Sequence, residues 1–380
     1  MRTRRHRLVL FFFIVALATS LFSQGVPVVE SQARQTSETR HWDLGLITTD
    51  ADLSPDDRLV AVTRWAEHSS ARVDSEHAVS VELWDYHQHR LITATRLSGG
   101  NPDCKSRTNA IRFTADGSFI VAAVACKVHL LESTTLKSVR VIEPTLRANF
   151  EIGAIETSPV SNIAIVAADE GNIYGVLFAY ELDTGRRLLQ WESPGAVHSI
   201  SWKPDGTQFA IATPFGCAHI GNEVRVFSAE TWAPVQILSA KNAESVAFSN
   251  DRLYTVQTSE CKGSLFNHHL GLEEFKVGGW KHQTVFVPHT DVHDSVSFAD
   301  GKLLADTGTV KTDYDWSDMV GYAFATDAQI TIWKGEAQPI ILTAAPSALA
   351  IRGSGVRMRL SRTGKMVLLN PQNPQIFQVP

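Results

Sequence analysis

From residue 41 onward the chain alternates short apolar stretches with polar turns, and no long segment carries an apolar period near 3.6. One unit recurs: alternating residues, a tight polar turn, then a more continuous apolar stretch. Val197–Pro214 reads VHSISWKPDGTQFAIATP, Asn109–Ala125 reads NAIRFTADGSFIVAAVA, and Ala243–Thr258 reads AESVAFSNDRLYTVQT. Asp50–Arg64 and Asp294–Thr309 repeat it, and Ile152–Glu170 and Val356–Gln372 are weaker copies. The turns carry Pro204-Asp205-Gly206 or Ala115-Asp116-Gly117, residues that accept the backbone angles of a tight hairpin. The pattern predicts strands throughout and no helices.

Each hairpin is followed by two further short strands, as in Val79–Leu97, Lys127–Ile142, Leu177–Trp191, Val224–Leu238 and Ile330–Leu342. Residues 41–380 shared among seven copies give about 49 residues each, the period of a four-stranded blade. The expectation is an all-β, seven-bladed β-propeller of four-stranded antiparallel blades. The last copy has strands at Val356–Ser361, Lys365–Asn370 and Gln375–Val379, one short of a blade. His41–Ile47 (HWDLGLI) is a strand without a hairpin of its own. Placed as the outermost strand of the seventh blade, this N-terminal strand closes the ring and removes an unpaired edge. Trp202, Phe113, Phe248 and Phe298, each in a first strand, are expected in the core between blades.

This rhythm resembles the WD40 and YVTN-type repeat superfamily over the same residues. Trp84-Asp85 matches the Trp-Asp pair that ends a third strand in that family. Trp333-Lys334, Phe227-Ser228 and Tyr180-Glu181 stand in its place in other copies, and the Gly-His dipeptide that opens many WD40 repeats is absent. The family's hydrogen-bonded tetrad therefore transfers to no blade here. The resemblance implies the fold, not a ligand.

Residues 1–7 carry Arg2, Arg4, Arg5 and Arg7 without an acid, and Leu8–Phe22 is nearly unbroken apolar sequence. A basic stub before about 15 apolar residues reads as a signal peptide over 1–25, too short for a span of about 20. An uncleaved anchor is the alternative. Val26–Arg40 then reads as a flexible leader. Losing the four arginines takes the formal charge from −5 to −9, which argues against nucleic acid as a partner. The expected protein is secreted or periplasmic, monomeric, and not membrane-embedded once mature.

In an antiparallel four-stranded blade the first–second and third–fourth turns share one face, and the second–third turns and blade crossings share the other. The first set is short. The second is long and irregular: Trp65–Ala78, Ser98–Thr108, Pro214–Asn222, Ser259–His268 and Gly308–Asp327. Long connections of this kind are where binding residues gather. Cys104, Cys126, Cys217 and Cys261 fall on the same face, and in an oxidising compartment Cys104–Cys126 and Cys217–Cys261 are the bonds that avoid crossing the channel.

Candidate chemistry is sparse. His289, Asp291, His293 and Asp294 lie between blades five and six, with His268 and His269 from one loop and Asp313, Asp315 and Asp318 from another. Imidazoles there suit zinc and carboxylates suit calcium, against the plainer reading of polar loop decoration with no cofactor. Trp65, Trp280, Tyr314, Trp316 and Tyr322 are aromatics in or near the long loops, suited to stacking on sugars or anchoring a protein. No nucleophile elbow, P-loop or dinucleotide fingerprint is present. Two functions follow: a non-enzymatic scaffold binding a protein, peptide or glycan through its long-loop face, or a lactonase- or quinoprotein-like enzyme with a metal or cofactor at the channel mouth.

Overall fold

The computed structural model describes residues 34–35, 41–43, 48–65, 79–97, 110–124, 126–147, 150–170, 174–213, 223–240, 243–257, 271–286, 293–299, 302–306, 309–315, 320–327, 329–334, 340–343, 348–351, 358–369 and 375–378. Met1–Arg34 and Gln35–Pro380 are distinct units, and the architecture is that of the second. The expected signal peptide and most of the leader lie outside the described residues. Within the leader, Arg34–Gln35 is a two-residue strand.

Two local devices repeat and fix the strand spacing. In the turn from Thr114 to Phe119, Thr114 N–H donates to Phe119 O at 2.9 Å and Gly117 N–H to Thr114 O at 3.0 Å. The Asp116 carboxylate accepts from Ser118 N–H and the Thr114 hydroxyl. Gly117 takes φ +73°, and Gly206 (+71°), Gly364 (+65°) and Asp57 (+60°) occupy the same place in their turns. The second device joins third to fourth strands. Leu136, Gly185, Trp232 and Trp280 each donate their N–H to the carbonyl four residues back, and all four have positive φ.

These turns produce five consecutive four-stranded antiparallel sheets. The first comprises Thr48–Leu53, Leu59–Trp65, Val79–Asp85 and Arg90–Leu97; the second Ala110–Phe113, Phe119–Val124, Lys127–Glu132 and Ser138–Ile142. The third comprises Glu151–Thr157, Ile163–Glu170, Tyr174–Glu181 and Arg187–Ser193; the fourth Ser199–Trp202, Gln208–Thr213, Glu223–Ser228 and Pro234–Leu238. The fifth runs through Ala243–Phe248, Arg252–Gln257, Gly271–Lys276 and Lys281–Phe286. A sixth pairs His293–Ala299, Lys302–Asp306, Gln329–Lys334 and Ile340–Thr343 in that order, with a short strand ending at Gln35 at its outer edge. A further sheet joins Met358–Leu360, Met366–Leu369 and Gln375–Gln378 to His41–Asp43, whose partners are Phe377, Ile376 and Gln375. Every regular element among the described residues is a strand.

One expectation is corrected here. The connection 308–327 is not irregular: Thr309–Asp315 and Val320–Asp327 form a hairpin, and Ala348–Ile351 adds a third strand to it. The hairpin is inserted between strands that pair directly with each other, Lys302–Asp306 and Gln329–Lys334.

Burial runs from inner to outer strand. All of Ala110–Phe113 is buried, whereas Val139 and Val141 in the fourth strand of that sheet are exposed. Apolar clusters fill the gaps between successive sheets. Leu83, Phe113, Leu131 and Leu136 belong to the cluster of the first and second sheets. Phe209 and Phe227 stack at 5.0 Å in the cluster of the third and fourth, with Trp191 edge-on to Phe227 at 5.3 Å. Trp202, Phe113 and Phe248 are buried, as their positions predict. Leu53, Val60 and Val62 of the first sheet share a cluster with Met366, Leu368 and Ile376 of the last.

The short turns also lean on one another. A Cβ on Gly206 would lie 2.2 Å from Val160 Cγ2, and one on Gly117 would lie 3.2 Å from Pro55 Cδ. Gly206→Ala therefore combines left-handed backbone strain with a clash that Val160 must move to relieve, an expected loss of ~2 kcal/mol. Gly117→Ala, with the same backbone cost and a softer contact, is the control in a denaturant series. Equal losses in the two variants would refute the clash.

Candidate functional site

The period of two along the inner strands puts Asp50 and Asp52 on one side of the first sheet's inner strand. In six of the seven copies the same position, two residues before the turn begins, holds Asp52, Arg112, Glu156, Ser201, Ala247 and Arg359. Four of these six are charged, and the structure brings those four together. Arg112 Nη1 donates to Asp50 Oδ2 at 2.7 Å and its Nε to Glu156 Oε2 at 3.3 Å. Arg359 Nη2 donates to the same Glu156 oxygen at 2.7 Å, and its Nη1 lies 3.5 Å from Asp52 Oδ1. Glu156 of the third sheet thus joins Arg112 of the second to Arg359 of the last.

Backbone groups complete the cluster. Ile111 N–H donates to Asp50 Oδ2 and Phe113 N–H to Asp52 Oδ2, tying the first sheet to the second. In the fourth and fifth sheets uncharged seryls do the same, Val246 N–H donating to Ser199 Oγ and Phe248 N–H to Ser201 Oγ. Arg362 reaches from the last turn to Phe113 O and Thr157 Oγ1. Burial disfavours the Arg112 guanidinium, but Asp50, Glu156 and Asp52 outweigh it and hold its pKa above the usual value. Asp52 goes the other way: burial raises its carboxyl pKa, reinforced by Glu156 and opposed by Arg359, Arg112 and the Phe113 N–H.

His129 is a second buried titratable group, flanked by Val128 and Leu130. Burial, with a smaller contribution from Lys127, lowers its pKa to about 4. The unfolded chain takes up this proton near the ordinary histidine value of about 6.5. Stability is therefore undiminished by His129 above that pH and is lost as pH falls toward 4. The loss approaches ~3 kcal/mol. His129→Gln should flatten the fall in denaturation midpoint between pH 6.5 and 4; an unchanged slope would assign acid lability elsewhere.

The residues expected to form a binding face are placed as follows. Trp65 ends the strand Leu59–Trp65, with its backbone opposite Val79. Tyr314 and Tyr322 belong to the inserted hairpin, Tyr322 opposite Asp313 and Tyr314 opposite Gly321; Trp316 lies outside the described residues. Trp280 is corrected. It sits in the turn between the third and fourth strands of the fifth sheet, on the short-turn face. Its positive φ and its place match Leu136 and Trp232, and it packs against the cluster of the fourth and fifth sheets.

Of the metal candidates, His293 begins a strand opposite Asp306, and Asp294 follows it in that strand rather than in a loop. Asp313 and Asp315 lie on the hairpin strand, Asp315 six residues beyond Thr309, ~20 Å of extended chain. His289, Asp291, His268, His269 and Asp318 fall outside the described residues. Among the described residues no three His, Cys, Asp or Glu side chains gather as a metal site requires. Cys126 directly precedes the strand Lys127–Glu132 with φ +61°; Cys104, Cys217 and Cys261 lie outside the described residues.

No protein-family model matches the chain, and no curated protein matches it in sequence. Solved structures do match in shape. A chain of the mitotic checkpoint complex superposes with a TM-score of 0.59 at 14% identity, over 92% of this chain and 94% of that one. The WD40 domain of Neurospora crassa Pan2 gives 0.57 at 12%, covering 88% and 90%. U3-55K gives 0.59 at 8%, covering 91% and 99%. At such identities the likeness is one of fold.

Proposed function

We propose that this chain, a WD40-like β-propeller by fold, is an exported, non-enzymatic interaction scaffold. It is a seven-bladed ring, its last blade closed by the N-terminal strand, and it holds a protein, peptide or glycan on its long-loop face. The observation that carries the reading is the use made of the inner strands. Two of their carboxylates are already committed to arginines, Asp50 to Arg112 and Glu156 to both Arg112 and Arg359. The interior is spent on rigidity, which leaves the faces to ligands. One similar structure is a component of a multiprotein complex, the company a scaffold keeps.

Ring closure is supported by the pairing of His41–Asp43 with Gln375–Gln378 and by the cluster shared by the first and last sheets. Export is supported by the basic stub and apolar run at the N-terminus, and the Cys104–Cys126 bond by the absence of a free thiol at Cys126. The test is affinity capture from the extracytoplasmic fraction. The mature protein is compared with a variant whose segments 98–109, 214–222 and 258–270 are replaced by Gly-Ser chains of equal length that keep Cys104, Cys217 and Cys261 in place. Loss of the captured ligand at unchanged melting temperature is expected. Equal capture by both would move the surface elsewhere, and turnover of lactones or alcohols by the wild type would replace the scaffold with an enzyme.

A further inference from the structure

The inner-strand cluster holds three carboxylates, Asp50, Asp52 and Glu156, against two guanidinium groups that bridge them, Arg112 and Arg359. Buried clusters that are out of charge balance are costly, and the cost falls on the least compensated member. Asp50 has Arg112 at 2.7 Å and the Ile111 N–H at 2.9 Å. Glu156 has Arg359 at 2.7 Å and Arg112 at 3.3 Å. Asp52 has the Phe113 N–H at 2.8 Å, but among the described residues its only guanidinium contact is Arg359 at 3.5 Å, a group already engaged by Glu156. Asp52 is nonetheless 7% exposed. The third cation in reach, Arg362, points at Phe113 O and Thr157 Oγ1 and is itself exposed.

We propose that this cluster takes up one proton, on Asp52, and that the uptake tightens the grip of the last sheet on the first three in mild acid. With Asp52 neutral the cluster holds two carboxylates and two guanidiniums, and the charge imbalance is gone. With Asp52 ionised it carries one uncompensated negative charge, repelled by Glu156. The elements packed against Asp52 supply Arg112 and the Phe113 N–H from the second sheet, Glu156 from the third and Arg359 from the last. The net upward shift of the Asp52 carboxyl, dominated by burial, agrees with this geometry. The sign follows: the folded state keeps the proton at pH values where the unfolded chain has released it. The contribution to stability is therefore full in acid and lost as pH rises through the folded midpoint of Asp52. The clasp is independent of any ligand on the loops, so it can fail while the scaffold reading stands.

The test is the melting temperature of the full chain from pH 4.5 to 8, for wild type and Asp52→Asn, which fixes the neutral form. Taking the difference cancels His129, which acts on both. The variant is expected to melt ~2–4 °C higher than wild type at pH 8 and level with it near pH 4.5. A difference that does not vary with pH, or a variant less stable at every pH, would overturn the proposal. If Asp52→Asn does not fold, the wild type itself decides. Aspartate-selective carboxyl carbon NMR should show one buried aspartate titrating above the ordinary range, and all midpoints at or below about 4 would refute the clasp.

Discussion

Replacing Arg112 with alanine is expected to lower the stability of the propeller by ~3–5 kcal/mol. Removing one member of a buried ion pair leaves its partners desolvated and uncompensated. Here two carboxylates lose their cation at once, Asp50 and Glu156. The guanidinium side chain is 6% exposed, so water cannot replace it without parting the inner strand of the second sheet from those of the first and third. Arg112→Lys should recover only part of the loss, because an ammonium cannot serve both carboxylates with the fixed fork that Arg112 uses. Urea denaturation of Arg112→Ala, Glu156→Gln and the double variant gives the coupling. A loss below ~1 kcal/mol in Arg112→Ala, or additivity in the cycle, would show that the cluster does not hold the inner strands.

The second large effect concerns the N-terminal strand. A chain lacking residues 41–47 should melt ~5 °C lower than the parent, a loss of ~2–4 kcal/mol. Three residues of ladder are removed, each hydrogen bond contributing ~1 kcal/mol. Ile376, wholly buried, loses the backbone strand paired across from it at Trp42. Of Trp42→Pro and Asp43→Pro, the one whose N–H faces Gln375–Gln378 should reproduce part of the shift and the other should not. Thermal stability unchanged in the truncated chain would mean that the last sheet needs no strand from the N-terminus. Increased self-association is the expected companion of truncation, since the strand Gln375–Gln378 then presents an open edge.

The strands and their turns were legible because their chemistry is local. Asp116 caps its own turn, Gly117 supplies the positive φ, and the same Asp-Gly pair recurs at Asp205-Gly206. The axial cluster was harder to see. Asp52, Arg112, Glu156 and Arg359 stand far apart in the chain, and Glu156 meets Arg359 across 203 positions of sequence. The signal exists only in a column: copies aligned by their turns place a charged residue at one position in four of them. Trp280 misled for a related reason. Trp280, expected in or near the long loops, sits in the turn that Leu136 and Trp232 also make, in which a left-handed residue folds its side chain back onto the preceding sheet. The hairpin 309–327 escaped notice because TVKTDYD lacks the apolar alternation that marks the other strands.

That hairpin has a practical consequence. Lys302–Asp306 and Gln329–Lys334 are in register without it, Leu303 opposite Trp333 and Ala305 opposite Thr331, so the segment between them is an appendix to a finished sheet. A foreign epitope or a split-reporter fragment grafted there in place of 309–327 would ride on the propeller while the sheet beneath kept its own ladder.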